Sequence, residues 1–306
     1  MQRRACLALT FAPLAGCAVQ ADAWLAEAPA GLPARVELSR TPFFPQTDWH
    51  CGPAALATAL GAVGIAASPE TLGREVFLPA RGGSLQTEML AGPRRHGAVA
   101  VRIPGTVASL LREVAAGEVV VVLLNLGLAI APRWHYAVVV GYELEQRELL
   151  MRSGTTERDR MALRTFEHTW ARAGHWAFVV VPPGRWPVTA RAEAAVEAAI
   201  GFERTASPAQ ALKVYETGSA RWPESLPLAI GLGTSAHATG DTAKAKAVFR
   251  RAGEQHGSGA AWLNLARLLQ SEGQRDEAIA SARRALRDPL WAAQAQSFLA
   301  QPTIRP

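Results

Sequence analysis

Cysteine is scarce in this chain. Three are spread over 306 residues, at Cys6, Cys17 and Cys51, which excludes a disulfide framework and a cysteine-rich metal site. Metal-ligand spacing is missing as well: His96, His168 and His175 are dispersed and no H-E-x-x-H occurs, so no metal and no cofactor is expected. No apolar run is long enough for a permanent membrane helix, since the stretch from Ala5 to Pro13 is far too short. The formal charge is +6, yet the arginines are scattered. Their one tight cluster in the first half, Pro93-Arg94-Arg95-His96, is not interleaved with aromatics as a nucleic-acid platform would be. What remains is a globular composition, 49% hydrophobic and sufficient for two domain cores.

The first residues read as an address. Met1-Gln2-Arg3-Arg4 supplies positive charge, Ala5 to Pro13 an apolar run, and Leu14-Ala15-Gly16-Cys17 a small-residue cleavage context. That tetrapeptide resembles the lipobox of bacterial lipoproteins. The resemblance implies a signal peptide over 1–16, a lipid on Cys17 as the new N-terminus, and, with Ala18 rather than Asp following, the periplasmic face of the Gram-negative outer membrane. An ordinary secretory signal with a fortuitous cysteine is the plainer alternative. Residues 17–33, rich in Ala and Pro, read as a flexible tether.

Cys51 is then the one thiol left. It stands in Gln46-Thr47-Asp48-Trp49-His50-Cys51-Gly52-Pro53, just where the apolar run from Ala54 to Leu60 turns helical. A helix N-terminus offers unpaired N–H groups and the positive end of the dipole, both favouring thiolate. A histidine from elsewhere, His135, can complete a nucleophile–base pair, and the Gln46 amide can donate to a developing oxyanion. Trp49, His50 and Trp134 flank these residues and are candidates to line a substrate cleft, although each tryptophan also fits a domain core. A free cysteine at such a place is also read as a small buried hydrophobe.

Helical patterns cover Gly52–Val63, Ser68–Val76, Leu85–Arg94 and Thr106–Ala115. Strand patterns follow at Glu118–Leu124, His135–Tyr142, Glu148–Arg152 and Trp176–Val181. Helices first and strands later predict an α+β unit over 34–184, its antiparallel sheet facing the helix that carries Cys51.

On Gln46, Cys51-Gly52-Pro53-Ala54-Ala55-Leu56 and His135-Tyr136-Ala137-Val138-Val139-Val140-Gly141-Tyr142, this unit resembles the papain-like C39 peptidases, which include double-glycine leader peptidases. The resemblance implies a nucleophile at Cys51, a general base and acid at His135 and an oxyanion donor at Gln46. One element departs from it. The family places Asp or Asn on the strand after the histidine, and here Ser153 stands at about that position. Ser153 can orient the imidazole but cannot offset its charge; Asp159 or Glu157 folding back is an alternative, and Ser153-Gly154 also reads as a plain turn.

Beyond Pro182-Pro183-Gly184 the chain is Ala-rich and helical. Leu226–Ala252 and Ala260–Ala285 superimpose at an offset of 33 residues, and a weaker unit with Ala211 and Tyr215 precedes them. The period and the pattern Trp262-x-x-Leu265-Ala266, Gly273, Glu277-Ala278 resemble tetratricopeptide repeats over 190–301, which implies an all-α array with a concave face for a protein partner. The expected whole is a membrane-anchored cysteine peptidase forming a thioester at Cys51, acting on a protein or peptide. Two alternatives stand beside it: an acyl or peptidyl transferase or ligase using the same pair, and a non-catalytic envelope scaffold.

Overall fold

The computed structural model describes residues 31–46 and 51–300. The expected signal peptide, Cys17, most of the tether, and Trp49 and His50 lie outside them.

Seven antiparallel strands form one sheet. They are β1 (Arg35–Glu37), β2 (Val99–Arg102), β3 (Val120–Asn125), β4 (Trp134–Glu143), β5 (Glu148–Ser153), β6 (Thr156–Ala162) and β7 (Ala177–Val181). Their order is β2-β7-β3-β4-β5-β6, with β1 continuing along the edge of β4 beyond the end of β3. Helices α1 (Cys51–Ala62), α2 (Pro69–Val76) and α3 (Gln86–Arg95) lie on one face. Helices α4 (Val107–Ala115) and α5 (Leu163–Ala171) lie on the other. The fold class is therefore α+β, as expected, but the order is interleaved rather than helices followed by strands. The pattern reading passes over β1, β2, β6 and α5; three- and four-residue strands carry no period, and β6 (TERDRMA) opens with five polar residues in a row.

Period-two alternation divides β4 between the layers. Tyr136, Val138 and Val140 point to the α1 side, Ala137 and Val139 to the α4 side. A bulge between Val139 and Gly141 reverses the parity, so that Tyr142 joins Val139 in the α4 layer. Helix α1 is apolar almost all round and buried from Gly52 to Leu60, the signature of a helix enclosed on every side. Pro53 costs it nothing, because a first-turn N–H has no partner within the helix. Ser68 caps α2 by accepting from Thr71 N with Pro69 behind it, and Thr106 caps α4 in the same way.

After β7 the chain is all helix: α6 (Ala192–Glu203), α7 (Pro208–Arg221), α8 (Leu226–Ala238), α9 (Thr242–His256), α10 (Gly259–Ser271), α11 (Arg275–Ala285) and α12 (Ala292–Ala300). These pair as α6–α7, α8–α9 and α10–α11, with α12 against the last pair. Phe249 and Leu286 fill the seam with Trp262 and Leu265.

The sheet and the helical array share one core. Ala198, Ala199 and Phe202 of α6, Tyr215 of α7 and Val248 of α9 belong to the same buried cluster as Val99, Val101 and Val181. Polar bonds reinforce the joint. The buried Glu113 carboxylate accepts from Val188 N and from the N and Oγ1 of Thr189, Glu118 pairs with Arg185, and Trp186 meets Trp222 edge-on at 5.3 Å.

Candidate active site

Helix α1 brings Cys51 to the end of the sheet where β4 begins. The thiol is half-buried and faces the backbone N–H groups of Tyr136, Gly52 and Cys51 itself. Two residues crowd the helix start from outside: Tyr136 Oη donates to the Ser84 carbonyl at 3.2 Å, and a Cβ on Gly52 would lie 2.6 Å from Ser84 Oγ. Glycine is required there by space, not by its conformational range.

His135 is the second residue of β4, one residue before Tyr136. Its Nε2 lies 3.0 Å from Ser153 Oγ, at the end of β5. Ser153 also draws down the nearby carboxyl of Asp159 on β6. The β5–β6 register explains how. Met151 pairs with Asp159 but Ser153 with Thr156, so β6 holds one extra residue and bulges. That re-aims side chains beside the turn. With Nε2–H donated to Ser153, Nδ1 is left with a free lone pair.

Gln46 is brought to the same turn. Its backbone N–H donates to the Gly154 carbonyl at 3.0 Å, and it is half-buried. Buried Arg152 staples that approach by donating to the carbonyls of Thr41 and Glu157. Of the residues that sequence reasoning selected, Cys51, His135, Gln46 and Ser153 thus converge on one end of the sheet. Trp134 opens β4 on the α1 side and is 56% exposed, so it is no core aromatic. Glu157 gives Arg152 its backbone carbonyl, whereas Asp159 is the carboxylate near Ser153. His96 lies elsewhere, paired with Glu75 at 3.2 Å.

The electrostatics differ from the expectation of a ready thiolate. Burial pushes the Cys51 thiol up, and the three backbone N–H groups pull it down less strongly. Burial also pushes the His135 imidazolium down, with Arg133 adding repulsion. Both shifts favour a neutral thiol and a neutral imidazole. Asp159 is pushed up by burial and held down by Ser153. A helix N-terminus acts on a thiol through partial charges, but loss of water acts on the whole thiolate charge, and here the second wins.

Residues 39–178 match the Peptidase_C39 like family, and residues 259–287 match the tetratricopeptide repeat. No curated protein matches the chain. Among solved structures, a protein from Bacillus anthracis named a C39-like peptidase is similar at 20% identity, over 48% of this chain and 97% of that one, with a TM-score of 0.41. The peptidase domain of Streptococcus ComA, a bifunctional ABC transporter of a quorum-sensing pathway, is similar at 19% identity over 47% and 99%, TM-score 0.38. A tetratricopeptide-repeat protein of Thermus thermophilus is similar at 26% identity over 34% of this chain and 58% of that one, TM-score 0.30. The chain joins an N-terminal α+β region resembling the papain-like C39 fold to an all-α array of tetratricopeptide-like helices.

Proposed function

We propose that the chain is a cysteine peptidase whose nucleophile is Cys51 and whose base is His135. The observation that carries this reading is the 3.0 Å hydrogen bond between His135 Nε2 and Ser153 Oγ, with the Asp159 carboxyl drawn down by that serine and with the thiol at the helix start facing the N–H of the next residue, Tyr136. A bond of this kind fixes an imidazole in one tautomer with its other nitrogen open.

Because burial favours the neutral pair, His135 Nδ1 takes the Cys51 proton as sulfur attacks the peptide carbonyl carbon, and no standing ion pair is needed. The carbonyl π bond becomes an oxyanion, which the Cys51 backbone N–H and the Gln46 carboxamide receive. The C–N bond then breaks, the His135 proton passes to the leaving amine, and a thioester remains on Cys51. Water attacks that thioester, giving its proton to His135, and the thiol is reformed as the acid departs. Ser153 and Asp159 keep the ring oriented throughout and stay outside the bond changes.

The helical array recruits a protein partner or presents the substrate. Cleavage next to small residues, and anchoring at the periplasmic face of the outer membrane through lipid on Cys17, complete the proposal. The test is hydrolysis of a peptide library by the purified chain and its Cys51→Ala variant. Cleavage by the parent alone supports the reading; equal cleavage by both removes it.

A further inference from the structure

The turn between β3 and β4 runs straight into Trp134 and His135, and it is built unlike the other loops near the site. From Leu126 to Pro132 it contains no charged residue, and Arg133-Trp134 closes it. Its apolar side chains point outward: Ile130 is 92% exposed, Leu128 67% and Leu126 42%. Clustered exposure of this kind is unlike the single apolar residues scattered over ordinary surfaces.

The loop is also tied together by hydrogen bonds of its own. Leu126 N donates to the Arg133 carbonyl at 2.9 Å, and Ala131 N to the Leu128 carbonyl at 3.1 Å. The buried Asn125 side chain accepts from Gly127 N and Arg133 N, both at 3.0 Å, and Arg172 clamps the Asn125 carbonyl from below. Gly127 permits the tight crossing, since a Cβ there would lie 2.4 Å from the Ala131 carbonyl oxygen. The result is a narrow hairpin tip with much of its backbone already paired.

We infer that this tip is a membrane-docking element, Leu128 and Ile130 entering the acyl region of a bilayer while Arg133 and Trp134 rest at the headgroups. Three observations choose a lipid surface over other occupants. Every residue from Leu128 to Trp134 is exposed, so the tip itself offers a peptide or a second protein no walls to bury against, whereas a bilayer accepts a projecting apolar tip. The N–H groups on either side of it, those of Leu126, Gly127, Ala131 and Arg133, are already paired within the loop, which lowers the cost of leaving water there. An arginine and a tryptophan at the base of an apolar segment suit the water–lipid boundary, where one keeps its charge wet and the other its indole N–H. A second copy is poorly suited. The cavity beside α7–α9 is edged by Glu216, Lys244 and Arg251, and that beside α4 carries Arg112 and Arg191 at its edge, charges that an inserting leucine or isoleucine would have to desolvate.

Docking through this tip would hold the mouth of the site against the membrane and so select substrate segments close to the lipid surface. The described chain enters at the opposite end of β4, about 30 Å away along the strand, and the residues between Cys17 and Gly31 reach up to about 50 Å when extended. A lipid on Cys17 and this tip can therefore engage one bilayer together. The inference does not depend on the role given to Cys51.

The test is co-sedimentation with vesicles of phosphatidylethanolamine and phosphatidylglycerol. It uses the whole chain carrying Cys17→Ser, so that no lipid on that residue contributes, with and without Leu128→Ser and Ile130→Ser. The parent is expected to bind and the double variant to bind at least about tenfold more weakly, with an unchanged melting temperature. A parent that does not bind, or a variant that binds equally, overturns the inference. So does a variant with unchanged vesicle binding that instead loses peptide cleavage or self-association, which would assign the tip to a substrate or to a second copy.

Discussion

Ser153 stands between an imidazole and a carboxylate. Its Oγ is 3.0 Å from His135 Nε2, and the same serine draws down the Asp159 carboxyl. If this serine orients the base, Ser153→Ala should lower kcat/KM by roughly ten- to hundredfold with KM little changed. Asp159→Asn should lower it less, because the serine still accepts from the imidazole. Steady-state kinetics on a cleaved peptide, with melting curves as a control, decide the matter; full activity in both variants would assign Ser153 to the turn alone.

Cys51 offers a pH test with a definite sign. Burial raises the thiol and lowers the imidazolium, so raising the pH must pass the ordinary thiol range, about 8.5, before thiolate accumulates. Alkylation of Cys51 by iodoacetamide, in a chain with Cys17→Ser, should climb only in alkaline buffer. A reactive plateau reaching down to about pH 6 would instead reveal a standing thiolate–imidazolium pair.

At Gly52 two effects oppose each other. Alanine in a helix gains up to about 1 kcal/mol in propensity over glycine. Here its Cβ would come within 2.6 Å of Ser84 Oγ and 2.8 Å of Ser84 Cβ, and overpacking typically costs about 1–3 kcal/mol. Gly52→Ala should therefore lower the melting temperature. It should also lower activity, because Ser84 holds the Tyr136 hydroxyl and the Tyr136 N–H faces the sulfur. A stabilised, fully active variant would show that Ser84 yields freely.

The helical array is part of the first domain's core. Phe202 of α6 is buried in the cluster that contains Val99, Val101 and Val181. Phe202→Ala should cost about 3–5 kcal/mol, and a chain ending near Gly184 should bare that face and aggregate. Chemical denaturation should show one transition for the sheet and the first helical pair. Two well-separated transitions would mean that the shared core contributes little.

Glu37 gives a second pH test. Arg158 holds its carboxyl down to about 2, with Arg35 adding to the effect against the cost of burial. A folded-state pKa below the unfolded value means a contribution present above the ordinary carboxylate range and lost as pH falls towards 2. The melting temperatures of the parent and Glu37→Gln should differ at pH 7 and converge in strong acid. A constant gap would point to packing instead of charge.

Much of this architecture is legible in single residues and short periods. Ser68-Pro69 and Thr106 announce two helix starts because a capping oxygen and a fixed φ act locally. The valine-rich runs of β3 and β4 and the 33-residue helical period are equally local. Cys51, His135 and Gln46 are recognisable because their neighbours carry a motif. Strand β6 is not legible: its charged residues lie along an edge, and its partner β5 rather than its own composition makes it a strand.

By itself, then, the sequence determined the two-part plan, α+β followed by helical repeats, and singled out the residues to look for at one end of the sheet. Only the tertiary structure decided their environment. A one-residue bulge in β6 brings Asp159 towards Ser153, and long-range packing buries Cys51 and His135, which raises the thiol and lowers the imidazolium. Register and burial are sums over many distant contacts, and no short stretch of chain carries them.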